Sequence, residues 1–263
     1  MPGLIDIGAN LAHDSFDADL PQVLQRAWDA GLEGVVVTGS SRESTLKALA
    51  LAQRYPGQLW ATAGLHPHHA SEWTPEFALL IRELASEAAL VALGECGLDY
   101  FRDFSPRVQQ REAFIAQLQL AAELRKPLFL HQRDAHEDFL AILRKWRPRL
   151  GAVVVHCFTD TREALNDYLA LDCHIGITGW ICDERRGAHL IEAVRDIPDD
   201  RLLIETDAPY LLPRTAAKSA SRRNEPCYLP WVVKALAAAR GQSEDSIARI
   251  SRDNAHRFFE LER

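Results

Sequence analysis

The stretch LVALGECGLDYF, residues 90–101, reads as an apolar strand that ends on a charge, Glu95. A carboxylate at the end of a core strand needs a partner that holds its charge. Seven other β-rich runs flank it: LIDIG (4–8), GVVVTG (34–39), LWATAG (59–64), PLFLHQ (127–132), AVVVHC (152–157), CHIGIT (173–178) and RLLIETD (201–207). Between them lie segments with apolar residues at three- and four-residue spacing, among them LPQVLQRAWDAG (20–31), STLKALALAQRYPG (44–57) and PEFALLIRELASE (75–87). The longest, SPRVQQREAFIAQLQLAAELRKP (105–127), offers Ser105 as N-cap and Pro106 as first helical residue, and Pro127 marks the return to a strand. Gly31 and Gly57 suit left-handed helix ends. Eight strands alternating with helices argue for parallel βαβ units. An open doubly wound sheet is the competitor, but no glycine-rich phosphate loop follows the first run, and a count of eight favours closure. The expectation is an α/β fold, a TIM-type (β/α)8 barrel.

The totals agree. The chain has 263 residues, 47% hydrophobic and 25% charged, close to the ~250 residues of a typical α/β barrel. No linker rich in Gly, Pro or Ser divides it, so one domain over 1–263 is expected. A net charge of −7 argues against a protein that coats nucleic acid generally. Cys96, Cys157, Cys173, Cys182 and Cys227 are scattered, without a C-x-x-C pair, and read as reduced thiols. With no basic start leading into an apolar core and no run approaching ~20 apolar residues, neither a signal peptide nor a membrane span is expected, and the cytoplasm is the default.

In a parallel barrel the active site lies at the carboxyl ends of the strands. Those ends carry Asp6 and Asn10, Thr38, His66 and His68, Glu95, His131, His156, Thr178, and Glu205 with Asp207. Strand alternation places Val91, Leu93 and Glu95 on one face, with Cys96 on the other; Phe129 pairs with His131, Val154 with His156, and Leu203 with Glu205 and Asp207. Cys157 is expected to point outward against the helices. If the first set lines the barrel, Glu95, His131, His156 and Asp207 converge as a mixed imidazole–carboxylate set suited to a catalytic divalent metal. Each alone has a plain structural reading, a hydrogen-bonded histidine or a glutamate salt-bridged to an arginine such as Arg133. His69, His136 and His189 fall off these ends and read as surface residues or outer neighbours. One loop, PYLLPRTAAKSASRRNEP (209–226), concentrates Arg214, Lys218, Arg222 and Arg223 against Glu225, and reads either as a solvated loop or as a phosphate contact. No G-x-S-x-G or Walker-type loop is present.

Five ordered motifs, GLHPHH (64–69), ALGECGLDY (92–100), LHQRDAHEDFL (130–140), VHCFT (155–159) and ETDAPYLLP (205–213), resemble those of the TatD family of metal-dependent deoxyribonucleases, among the amidohydrolase-like barrels. The resemblance runs from DIGANL (6–11) to NAHRFF (254–259). It implies Glu95, His131 and His156 as metal ligands, Asp207 as a metal-binding residue that orients the attacking water, and His66 beside the substrate phosphate. Where many relatives carry D-x-H-x-H, this chain has Gly8 and Asn10, which weakens a second metal site. The same loss is typical of the subgroup closest to TatD itself, whose members act as 3′–5′ exonucleases on single-stranded DNA and RNA.

The implied reaction is phosphodiester hydrolysis with a divalent ion, Mg or Mn foremost and Zn as the alternative. Asp207 would position water, His66 and a basic side chain from 214–223 would offset phosphate charge, and Glu205 would either orient ligands or act as general acid. Tyr100, Phe101, Trp180 and Tyr210 lie beyond strand ends where they read as stacking platforms or as caps on the core. Single-stranded DNA or RNA is the expected partner and a monomer the expected state. The rival readings are an amide or ester hydrolase, including one that cleaves aminoacyl-tRNA, and a non-catalytic binding barrel.

Overall fold

The structure is a computed structural model and describes residues 3–216 and 222–261. Eight strands form one parallel sheet in chain order: β1 (Leu4–Ala9), β2 (Leu32–Val37), β3 (Leu59–Ala63), β4 (Leu90–Asp99), β5 (Leu128–Arg133), β6 (Val153–Val155), β7 (His174–Ile177) and β8 (Leu202–Ile204). The helices that return the chain between them include α1 (Leu20–Asp29), α2 (Arg42–Arg54), α3 (Pro75–Leu84), α4 (Arg107–Leu124), α5 (His136–Trp146), α6 (Arg162–Ala170) and α7 (Ala188–Ala193). They are followed by α8 (Leu229–Arg240) and α9 (Glu244–Phe259). The expected eight-stranded α/β barrel is the observed fold.

Closure at the β8–β1 seam relies on few groups. The Asp207 amide donates to Gly8 O at 2.9 Å and the Asn10 amide to Ala208 O at 2.7 Å. The buried Asp6 carboxylate accepts from the Thr206 amide at 2.9 Å and from its hydroxyl. Burial pushes the Asp6 carboxyl up to about 8, against the lowering effect of these bonds.

Two apolar layers follow. Ile5, Ile7, Val36, Val91, Phe129, Val154 and Leu203 fill the barrel, and Ala255, Phe258 and Phe259 of α9 join them from beneath. Leu4, Val35, Leu90, Leu93, Cys96 and Leu130 face the helices. Leu93 therefore does not share the face of Val91 and Glu95. The β4 ladder skips a residue after Leu90 and slips again between Leu93 and Cys96, so simple alternation fails there. Gly94 (φ 122°) makes the second slip feasible, because a Cβ there would stand 2.1 Å from Phe129 O. Glu95 still points inward and Cys96 outward, but bulges rather than parity put them there. The strand also runs on to Asp99, past the expected end at Glu95. At the start of α4, Pro106 is the cap residue and Ser105 is not: the Ser105 hydroxyl donates to His68 O at 2.9 Å instead.

Candidate active site

At the carboxyl ends of the strands lies a cavity of about 460 Å³, bordered by Asn10, His66, Glu95, Asp99, His131 and Asp207 among others. Its organising atom is Glu95 Oε1. His156 Nε2 lies 2.8 Å from it, His131 Nδ1 3.0 Å and His66 Nε2 3.4 Å. Burial alone would raise the Glu95 pKa, but His156, His66 and His131 outweigh it and hold the carboxyl well below its usual range. The same contacts act in reverse on the rings. Burial pulls both down, yet Asp99 and Glu95 leave His131 above its ordinary value, and Glu95 and Glu205 leave His156 well above.

Each ring is held from behind. Glu205 Oε2 lies 3.3 Å from His156 Nδ1, and Glu205 Oε1 accepts from the Cys157 amide at 2.5 Å. Glu205 is wholly buried and does not border the cavity. It fits between two glycines: a Cβ on Gly8 would stand 2.4 Å from Oε2, and one on Gly176 2.6 Å from Oε1. Gly8 is thus the residue that makes room for Glu205, in addition to lacking a ligand atom. Asp99 Oδ2 lies 2.9 Å from His68 Nε2 and 3.4 Å from His131 Nε2, a buried nitrogen with no better partner among the described residues. Burial opposes but does not overcome His131, His68 and the Arg102 amide, which hold the Asp99 carboxyl far below its ordinary value. Asp99 is a site residue that sequence reasoning did not single out; the second glycine of G-E-C-G-L-D, which lets the strand continue, was the available signal.

His66 has a fixed tautomer. Its Nδ1 accepts from the His68 amide at 3.0 Å, so the ring proton sits on Nε2. Burial, with help from His131 and His68, lowers its pKa well below the ordinary value despite Glu95. It is a neutral hydrogen-bond donor facing Glu95. Asp207 borders the same cavity, with Oδ1 accepting from Asn10 Nδ2 at 3.0 Å. Burial, reinforced by Glu95 and Glu205 and opposed by His156 and Asn10, pushes it up to about 7. Asn10, read as a weakened ligand, serves as a hydrogen-bond donor to Asp207.

Other expectations change. Cys157 borders the cavity rather than the helices, because β6 has ended at Val155 and Cys157 turns left-handed (φ 47°). In the 209–226 loop, Arg214 is engaged by Glu184 and Asp183, and Arg223 by Asp19 and Glu225. Lys218 lies outside the described residues. Among the described residues, the guanidiniums that border the cavity are Arg102, Arg133 and Arg186. Trp180 and Tyr210 border it as well, whereas the Tyr100 hydroxyl is tied to Asp138 at 2.6 Å. His69 is hydrogen-bonded to Glu72, His136 to Asp167, and His189 donates to Thr159 O.

A donor set of two imidazoles and a carboxylate suits a divalent ion. Donor atoms of Glu95, His131 and His156 lie within 4.8 Å of one another, and in the ion-free protein both rings crowd the carboxylate that a cation would neutralise. A second group, His66, Asp99 and His131, meets the same spacing. The His66 tautomer argues against it, since Nε2 carries the proton.

Fold and centre together define a class, the α/β barrels with an imidazole–carboxylate cluster able to bind a metal at the carboxyl ends of the strands. The model of TatD-related DNases matches residues 5–260, and the chain belongs to that family. A relative from Erwinia billingiae, the 3′-5′ ssDNA/RNA exonuclease TatD, is 52% identical over 98% of this chain and 99% of its own length. A TatD family hydrolase from Entamoeba histolytica superposes with a TM-score of 0.89 at 26% identity over 100% of both chains. A TatD homologue from Escherichia coli K12 does so with a TM-score of 0.89 at 29% identity over 98% of both. No helix among the described residues is long and apolar enough to cross a membrane.

Proposed function

We infer that this chain is a divalent-metal-dependent nuclease, a 3′–5′ exonuclease acting on single-stranded DNA and RNA. The observation that carries the reading is the convergence of His156, His131 and His66 nitrogens on one oxygen of Glu95 within a cavity open to substrate, in a chain 52% identical to a relative bearing that name. We read it as a single-domain, monomeric, cytoplasmic enzyme.

Glu95, His131 and His156 would hold the ion, with Asp207 as the fourth, water-facing member; magnesium or manganese suits the carboxylates and zinc the imidazoles. When bound, the ion supplies Lewis acidity at the phosphoryl group and acidifies water. The chain's own residues do the rest. Asn10 occupies Asp207 Oδ1, which leaves Oδ2 to orient the nucleophile and take its proton. His66 Nε2–H donates to a phosphoryl oxygen without bringing a formal charge. Glu205 fixes His156 from behind; sealed from the cavity, it is placed to orient rather than to protonate a leaving group.

The test is Asp207→Asn, assayed on a single-stranded oligonucleotide with divalent ion present. Hydrolysis should fall by several hundredfold or more while the thermal transition is retained. Turnover near that of the unaltered protein would remove Asp207 from the mechanism.

A further inference from the structure

Resting on the reading above, we propose that Arg102 and Arg133, organised by Phe101, form a separate phosphate subsite. It would grip the phosphodiester backbone of the retained strand, on the 5′ side of the bond being cut. Both side chains border the cavity. Among the described residues neither guanidinium has a carboxylate or carbonyl partner; what holds them is a ring. The Arg133 guanidinium carbon lies 4.0 Å from the Phe101 centroid and that of Arg102 5.5 Å, with Trp180 5.8 Å from Arg133. Arg186, the third guanidinium at the cavity, is neutralised by Asp183 at 2.9 Å, as Arg214 and Arg223 are by their own carboxylates. In an acidic protein, two uncompensated cations at the mouth of the active site keep their N–H donors free for an anion. Guanidinium donors match phosphate oxygens in pairs.

Placement gives the direction. Arg133 follows His131 by two residues on β5, the same side of the strand, and is paired with Asp99 across the ladder. It therefore stands ~6.6 Å further out than the metal-ligand candidate, at ~3.3 Å per residue. Asp99 fixes the other arm as well, since its Oδ1 accepts from the amides of Phe101 at 3.0 Å and Arg102 at 2.8 Å. One carboxylate thus backs His131 and shapes the turn that carries the clamp. Phe101, 51% exposed, is a positioning residue whose ring is worth keeping on the surface for this purpose.

The test uses the full chain with divalent ion and two ligands: a phosphorothioate-linked single strand for binding, and bis(p-nitrophenyl) phosphate as a one-phosphate substrate too short to span both sites. Arg102→Met and Arg133→Met should each weaken strand binding about tenfold. Each should lower the slope of log affinity against log salt by ~0.7. Hydrolysis of the short diester should stay within about twofold. Arg→Lys variants should keep the salt slope, and Phe101→Ala should weaken strand binding without touching the short diester. Unchanged affinity and slope in the double Met variant would overturn the subsite. Equal loss on both ligands would overturn it too, by placing the arginines at the scissile phosphate. Failure of the unaltered protein to cleave an unmodified single strand of the same sequence would instead refute the nuclease reading itself.

Discussion

Replacing Gly8 by alanine adds one methyl group, and the structure says where it must go. The new Cβ would stand 2.4 Å from Glu205 Oε2 and 2.7 Å from Phe129 Cζ. Ordinary contact begins near 3.4 Å, so the carboxylate would have to retreat by about 1 Å. It has nowhere to go. Oε1 is held by the Cys157 amide, Gly176 closes the opposite side, and the Phe129 ring is stacked on His156 at 4.3 Å. A retreat of Oε2 also breaks its 3.3 Å contact with His156 Nδ1. Overpacking costs ~1–3 kcal/mol, and loss of a hydrogen bond to a charged group ~1.5–3 kcal/mol; because the two share atoms, we expect ~2–4 kcal/mol in all. At ~2–4 °C per kcal/mol for a chain of this size, the transition should fall by roughly 4–16 °C. Thermal denaturation of Gly8→Ala, Glu205→Ala and the double variant forms the assay. The methyl should cost far less once Glu205 is gone, a strongly non-additive cycle. An unshifted transition in Gly8→Ala, or additive effects in the double variant, would refute the idea that Gly8 exists to admit Glu205.

Three further outcomes follow from the charges. Asp99, Glu95 and Glu205 raise the pKa values of His131 and His156 in the ion-free protein, so a divalent ion held by these rings would compete with protons for them. Divalent-ion affinity should therefore rise with pH through and above ~6.5, and calorimetry in two buffers should detect released protons; a pH-independent affinity contradicts this. Glu225 is held low because Arg26 and Arg223 outweigh its burial. Its stabilising contribution is thus complete above ~4.3 and is lost as pH falls through the depressed folded value. Glu225→Gln should lower the transition by a few degrees at pH 7, from ~1–2 kcal/mol after allowing for the exposed Arg26, and by less at pH 3. Burial pushes the Cys157 thiol well above its ordinary range, with Asp207 and Glu205 adding to it. Iodoacetamide should accordingly modify it slowly at pH 8, and Cys157→Ser should keep activity; rapid labelling with inactivation would argue for a chemical role.

Much of this barrel was legible because apolar strand runs and polar strand ends obey short-range rules. His131 and His156 follow Phe129 and Val154 by simple alternation, and the interior layer confirms that pattern. Alternation failed where the backbone departs from it. Leu93 turns to the helices because Gly94 lets β4 slip, and Cys157 turns to the cavity because its backbone is left-handed. Asp99 went unnoticed because a strand that continues through Gly97, whose Cβ would stand 1.8 Å from His131 O, cannot be told from one that stops at Glu95. The arginines of the 209–226 loop drew attention by their density, but ion pairing is decided by tertiary neighbours: Asp19 engages Arg223 from 204 residues away. For the same reason nothing local marked Arg102 and Arg133 as the uncompensated pair.

The most direct measurement is a digestion time course on a 5′-labelled single strand, run beside its duplex, with Mg²⁺ or Mn²⁺ and with a chelator. We expect a ladder that shortens from the 3′ end of the single strand, little action on the duplex, complete arrest by the chelator, and the same arrest in Glu95→Gln with the ion present. Shortening that survives the chelator, or full activity in Glu95→Gln, would contradict a metal centre built on Glu95, His131 and His156.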